Sequence, residues 1–551
     1  MNSYSNIIIG SGPSGLQLGY YFEKYNINYV ILEKNSISGS FFDNYPHSGE
    51  LISINKVFTS NDNPDFNLRH DWNSLLNDDE FLFKEYSKKF YPNKEDLVKY
   101  LNDFAIKFKL NIKYNTNIVN INKYNNNFIL KDDNDNIYKC NKLIIATGLN
   151  KNNYPEFTYI DPNISNDKIK HYMDFPKNFF KQKDNLKKYE NKKVMIVGKG
   201  NSSFELANIL NEYCSSLFII GNNNNKEIIE NSSIVTKYTG SLRAKYFGFL
   251  DTFYLKSLNA IPSDHNITPK NIVLFNYNSN ISWTWNRNIT KNSRIFNSFI
   301  NKLKKEFENE DSYTHTNYYQ IILCTGTSFD NTIFNFDIEK VFNNKFPKIK
   351  NNYESTNVNN LYFIGSLMHS QDFKQSSGGF IHGFRYLIKL FMNINFDIPY
   401  NIKIFNYNND LKLLYSDITK YIQNRVNTSS SLYQMHGVLC DFYFYNENTK
   451  KIYYYHDIKP DIIDSIIYKY KIVSYTIIQF KFGKIDNFDI RQLNTFSEKL
   501  PKLLHIEFKF IYLDERTNSD NILGEDLFSY FTSDKFFHQI YNSVKMSPLI
   551  L

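Results

Sequence analysis

The chain lacks what would mark a thiol redox protein, a zinc protein or a membrane span. Among its 551 residues are only four cysteines, Cys140, Cys214, Cys324 and Cys440, set far apart and with no Cys-x-x-Cys pair. That excludes a disulfide framework, ordinary zinc spacing and an internal dithiol; buried thiols in a reducing compartment are expected. No apolar run approaches the roughly 18 residues that a membrane-spanning helix needs. Charge is not concentrated: 64 Lys and Arg against 56 Asp and Glu leave +8, and without a dense basic block a nucleic-acid or membrane-surface partner is not expected. The opening MNSYSNIIIGSG has no basic stretch before its apolar run, which Gly10 and Gly12 break; it reads as a strand entering a loop and not as a signal peptide. The closing KMSPLIL carries no retention or lipidation pattern, so a cytoplasmic location is the expectation.

What the chain does have starts within its first ten residues. Ile7 to Ile9 form a short apolar run, then Gly10, Gly12 and Gly15 fall at Gly-x-Gly-x-x-Gly with Pro13 and Ser14 between, and an amphipathic helix pattern follows. A second strand pattern, YVILEK, ends at Glu33 and Lys34, with Glu33 roughly 18 residues past the last glycine. Each part has a job in gripping a dinucleotide: Gly10 makes the tight turn, Gly12 lets backbone N–H groups reach a pyrophosphate, and Gly15 lets helix and strand pack closely. The helix start offers partial positive charge, and Glu33 is placed to hold ribose hydroxyls.

A second, less perfect copy lies at VMIVGKGNSSFELA, where Gly198, Gly200, Asn201, Ser202 and Ser203 open another helix. Ser203 stands where the third glycine belongs; a small side chain nearly fits there. Three further strands end in small residues: KLIIATG at Ala146, Thr147 and Gly148, YQIILCTG at Gly326, and NLYFIGS at Gly365 and Ser366. This punctuation around two cradles resembles the flavoproteins with two dinucleotide domains, and the resemblance implies FAD on the first and NADPH or NADH on a second inserted into it. A helix is expected to begin at Ser377, Gly378 and Gly379 with free N–H groups aimed at the flavin. The strand SLFIIG ends in Gly221 and an asparagine run, so neither nicotinamide cofactor is selected, although Arg243 or Lys237 could reach a 2′-phosphate.

The segments GSFFDNYP, LISINKVFTS, FNLRHDWNSLL, YTGSLRA, FLDTFYLKSL, SSGGFIHGFRY and RVNTSSSLYQM together resemble the FAD-dependent oxidoreductase domain-containing protein 2 family, also called the ER flavoprotein associated with degradation. That family is related to the flavin-containing monooxygenases, and the likeness runs from residue 7 to about 445. It implies that Ser40 and Phe41 flank FAD and that Asn55 sits near the reactive edge of the isoalloxazine as a catalytic residue. Arg69, His70, Asp71 and Trp72 take no catalytic role from it. Two departures stand out. The lumenal setting does not transfer, and the monooxygenase fingerprint survives only as His171 and Phe175, with Ser165 and Asp167 at its Phe and Gly positions. Oxygenation is left open, and His171 is expected at the surface.

At this length two or three domains are expected, roughly 150 residues each. The fold class is α/β: a split FAD domain at 1–160 and 315–395, a NAD(P) domain at 161–314 inserted in it, and a carboxy-terminal α+β appendage at 396–551. The appendage is given no chemistry, with partner binding or a packing lid as its options. The expected function is transfer of hydride from NAD(P)H to FAD and of electrons to oxygen or another acceptor. The alternatives are monooxygenation of a small molecule and a non-catalytic flavoprotein that binds a protein partner. Substrate and acceptor are not identified.

Overall fold

The apolar runs that open the chain become the centre of a parallel sheet. The computed structural model describes residues 2–221, 260–262, 269–277, 280–285, 315–373, 375–406, 410–472, 474–482, 504–512, 521–524 and 534–547. In the first sheet Asn2–Ile9 lies between Tyr29–Leu32 and Ile137–Ile145, parallel to both, with Ile8 opposite Ile31 and Ile144. Leu361–Phe363 adds a parallel strand beside Ile137–Ile145, and Ile118–Tyr124 and Asn127–Asp132 extend the sheet antiparallel. Both faces are covered, so the strands read as unbroken hydrophobics. Side chains alternate between two cores: Ile8, Ile31 and Ile144 join the helix side, whereas Ile7, Ile9, Val30 and Ile145 join the side closed by Phe329 and Phe334.

The second sheet repeats the plan. Lys193–Val197 lies parallel between Ser216–Ile220 and His315–Leu323, and Asn280–Trp285 and Ile272–Tyr277 extend it antiparallel. The strand His315–Leu323, assigned from sequence to the returning half of the first domain, therefore pairs within the second sheet. The chain crosses between lobes where Lys151–Asn152 pairs with Thr327–Ser328. Equivalent bonds tie the two glycine turns: Gly10 N–H donates to Leu32 O (2.9 Å) and Gly198 N–H to Ile220 O (2.7 Å), while Ala146 N–H reaches Ile9 O (2.9 Å) and Cys324 N–H reaches Val197 O (2.8 Å).

A third, antiparallel sheet of six strands is formed by the carboxy-terminal segment, in the order Ile402–Asn406, Lys451–Ile458, Cys440–Asn446, Ser474–Phe482, Leu504–Tyr512 and Asn521–Gly524. It is α+β, but it is more than an appendage. Leu414, Ile418, Ile422, Tyr454 and Phe508 belong to the same continuous core as Leu16, Leu101, Leu387 and Phe391 of the first lobe. All four cysteines are buried. Among the described residues no helix is long and apolar enough to cross a membrane, and no cluster of ligating side chains could hold a metal.

Candidate functional site

The two glycine loops show different uses of the same motif. In the first, Gly10 has φ +102°, and a Cβ on Gly15 would lie 2.0 Å from the Gly10 carbonyl oxygen. Gly12 has nothing within 4 Å of where its Cβ would be, so this position faces open space at the start of the helix Pro13–Lys24. Proline at the first helical position has no N–H to leave unpaired. In the second loop Gly198 has φ +127° and its Cβ would meet Cys324 O at 2.3 Å, whereas Gly200 again faces open space. Ser203 is accommodated because its hydroxyl donates to Gly198 O at 2.6 Å, a bond that replaces the close contact made by Gly15.

Glu33 is buried with its carboxylate already organised. One oxygen accepts from the Ser11 N–H (2.8 Å) and hydroxyl (3.0 Å), and the other accepts from Asn35 N–H (2.9 Å). Asn35 in turn donates to the Ser40 hydroxyl at 2.8 Å. The acid thus holds the glycine loop and the 33–40 turn together. Lys34 beside it points to solvent.

A cavity of about 480 Å³ opens between the lobes. Gly12, Pro13, Ser14, Ala146, Thr147 and Gly148 line it from the first lobe, and Asn201, Ser202 and Glu205 from the second. Much of the remaining wall is aromatic or aliphatic, with Phe41, Phe42, Leu51, Trp72, Phe380 and Phe384. The lobes are joined beside it: Tyr45 donates to Met173 O, His47 N–H donates to the Tyr172 hydroxyl at 3.0 Å, and His47 Nε2 lies 3.0 Å from Tyr172 O. Burial pulls the His47 imidazole down to about 4, so it is neutral there at pH 7.

Several expected residues sit elsewhere. Asn55 is buried away from the cavity, its amide donating to Ser87 O (2.7 Å) and Lys89 O (3.3 Å). Its backbone neighbours instead pair with 70–72, which carries Trp72 to the cavity wall. The helix expected from Ser377 begins at Ile381, because Gly378 N–H is held by Asp372 Oδ2 at 2.8 Å. Gly378 and Gly379 pack on Asp372 and on the His369 ring, where a Cβ would come within 2.4 Å and 2.9 Å respectively; of the two, Gly379 also lines the cavity. Gly365 seats its turn on Ser14, and Gly326 accepts from Asn153 at the crossing between lobes. His171 is buried, not exposed, with Nδ1 accepting from Met173 N–H. His70 and Asp71 do not bond to each other: His70 packs on Phe66 and Asp71 accepts from Asn73 and Ser74. Arg243 and Lys237 lie outside the described residues.

Sequence reading missed Glu205, Tyr172 and His382 as lining residues. His382 stacks on Trp72 at 4.2 Å between centroids, and Arg385 one turn later donates to Ser74 O (2.8 Å) and Leu68 O (2.7 Å). The segments FNLRHDWNSLL and SSGGFIHGFRY, more than 300 residues apart, therefore form one wall. No local periodicity signals such a pairing.

Residues 7–239 match the family described as pyridine nucleotide-disulphide oxidoreductase. Over 473 residues the chain is 33% identical to the FAD-dependent oxidoreductase domain-containing protein 2 of Mus musculus, covering 81% of this chain and 65% of the relative. It is 31% identical over 470 residues to the protein of that name from Danio rerio, covering 80% and 65%. The chain thus spans about 65% of the length of these relatives. A flavin-containing monooxygenase from Stenotrophomonas maltophilia superposes with a TM-score of 0.48 at 14% identity, over 71% of this chain and 99% of that one. The likeness to the mouse and zebrafish proteins extends over about four fifths of this chain, which is similar to the FAD-dependent oxidoreductase domain-containing protein 2 family over that length.

Proposed function

We propose that the chain is an NAD(P)H-linked flavin oxidoreductase, with FAD on its first loop and the reduced nicotinamide dinucleotide on its second. The observation that carries this reading is a cavity lined by both loops, Gly12 to Ser14 from one lobe and Asn201, Ser202 and Glu205 from the other. When bound, FAD supplies the two-electron centre that takes hydride from nicotinamide and gives electrons to an acceptor. The protein's own part is to hold and to exclude. Gly12 and the first-turn N–H groups of Pro13–Lys24 would receive the pyrophosphate, and Ala146, Thr147 and Gly148 would close one side; Glu33, which does not line the cavity and is held by Ser11 and Asn35, would receive ribose hydroxyls beside the loop. Gly200 and the N–H groups of Asn201 and Ser202 at the start of Asn201–Leu210 would serve the second nucleotide in the same way.

The thiols narrow the acceptor. Burial raises all four, Cys214 up to about 12 and the others further, and none lines the cavity. Electrons therefore leave for a diffusing acceptor, oxygen or a small molecule, and not for an internal dithiol. Among the described lining residues there is no lysine or arginine and much aromatic surface, which suits an acceptor without strong negative charge. Anaerobic titration of FAD-loaded protein with NADH and with NADPH, followed by flavin absorbance, tests the reading. Bleaching by either coenzyme is expected and oxygen uptake then reports on the acceptor; FAD uptake without bleaching by either one overturns it.

A further inference from the structure

Among the described lining residues His382 is the one histidine, and the proposed function leaves it unused. His382 is the second residue of the helix Ile381–Asn395, it is 3% exposed, and it lines the cavity. Its ring is clamped. It stacks on Trp72 (4.2 Å, 23°) and runs nearly parallel to Phe380 (5.6 Å, 15°). Trp72 is itself pinned by Nε1–H to Arg69 O at 3.1 Å, and Arg69 is tied to the carboxy-terminal segment through Ser429 O (3.0 Å) and Val426 O (2.7 Å).

The two ring nitrogens differ. Nδ1 is sealed from solvent and has no hydrogen-bond partner. Nε2 has no partner either among the described residues and is not among the sealed atoms, so it is the nitrogen that the cavity can reach. Protonation is opposed by burial and then by the Arg385 guanidinium one turn away, which together hold the imidazole well below its ordinary range. A neutral imidazole carries one proton. Placing it on Nε2 leaves a lone pair rather than an N–H buried without a partner, and orphaned buried N–H groups are the rarer of the two. The same wall carries the start of the Ile381–Asn395 helix, where Gly383 N–H already donates to Phe380 O (3.0 Å) and the N–H groups of Ile381 and His382 stand at the positive end of its dipole.

Resting on the reading that this cavity takes the FAD ring system, we infer that His382 donates its Nε2–H to the flavin and favours the reduced form. A fixed neutral donor bonds more strongly as negative charge grows on its acceptor, and a neutral histidine in an electrophilic role has precedent in other enzymes. Without a partner among the described residues, Nε2–H is left for a ligand to satisfy.

The test compares holoprotein with His382→Leu, which removes the donor, and His382→Gln, which keeps one. Binding of oxidised FAD is followed by fluorescence, and the two-electron potential by equilibration with a reference dye. We expect His382→Leu to bind oxidised FAD within about threefold of wild type and to lose about tenfold in preference for reduced over oxidised cofactor, a drop of about 30 mV. His382→Gln should recover part of it. A Leu variant that holds FAD at an unchanged potential overturns this inference alone, whereas a wild-type protein that takes up no FAD overturns the functional reading and this one together. Histidine-selective nitrogen NMR of wild-type holoprotein needs no variant. A neutral His382 with its proton on Nε2, whose resonance moves on reduction, supports the assignment, and a proton on Nδ1 refutes it.

Discussion

Substituting Gly12 by alanine should separate folding from cofactor binding. The backbone there has φ −70° and ψ −179°, which alanine adopts freely, and its Cβ would touch nothing within 4 Å. The ligand-free protein should be as stable as wild type, or more so by about 0.4–1 kcal/mol because the unfolded chain loses freedom. The added methyl instead occupies the space through which a pyrophosphate approaches the helix start. Losing about two charge-assisted hydrogen bonds, at roughly 1.5–3 kcal/mol each, weakens FAD by at least about 3 kcal/mol, more than 100-fold in affinity. Calorimetric FAD titration of stripped protein measures the second quantity and thermal melting the first. Gly15→Ala is the contrasting control, since its Cβ would lie 2.0 Å from a carbonyl oxygen, a backbone clash that costs about 3 kcal/mol or more before any ligand is added. A Gly12→Ala protein with wild-type FAD affinity, or one that melts as early as Gly15→Ala, would refute this account of the loop.

Other outcomes follow from the same geometry. Gly200→Ala, with φ −98° and nothing within 4 Å of its Cβ, should keep FAD yet need about 100-fold more reduced nicotinamide to bleach it, as read by stopped-flow reduction. His47 has a folded pKa of about 4 against an ordinary value of about 6.5, so the unfolded chain binds a proton between these values that the folded one does not. His47 should therefore contribute a fall of about 3 kcal/mol as pH drops through that window; denaturant melts should show a shallower slope there in His47→Gln than in wild type, the remainder coming from other buried histidines such as His382 and His171. Native protein should resist iodoacetamide at all four cysteines, since each is buried with a raised pKa, and mass spectrometry showing a rapidly alkylated thiol would reopen the dithiol question.

The parts of this site that were legible in sequence are those governed by local rules. Gly10 and Gly198 need positive φ and Gly15 needs close approach, so glycine spacing marks both loops before any contact is known. Glu33 follows directly on the next parallel strand, Tyr29–Leu32, as its sequence pattern indicates, although it does not line the cavity. The failures depend on distant partners. Asn55 lies in a matching motif, yet carbonyls at Ser87 and Lys89 determine where its amide goes. Asp372 captures Gly378 N–H and moves the helix start to Ile381. His315–Leu323 has the same apolar pattern as Ile137–Ile145, and only its parallel register with Val194–Val197 assigns it to the second sheet.

The carboxy-terminal segment belongs to the site rather than beside it, and its ties to the cavity run through arginines. Arg425 bonds Asp441 at 2.9 Å and Asp457 at 3.0 Å and lies 3.6 Å from Asp65 of the first lobe, while Ser430 N–H donates to Asp65 at 3.1 Å. Arg69 reaches into the same segment at Val426 and Ser429, and Gln434 returns a bond to Arg69 O at 2.6 Å. That carbonyl also receives Trp72 Nε1–H, the indole on which His382 stacks. A buried charge that loses its partner costs about 3–5 kcal/mol, so the Arg425 cluster resists rearrangement and holds Arg69 in place. The third sheet, through the helices Leu411–Thr428 and Ser430–Gln434, thereby acts as a rigid support behind the cavity wall. Its strands carry no residue that lines the cavity, which is why its own sequence is silent about chemistry: its contribution is the fixed orientation of Trp72 and His382, which are set in other segments.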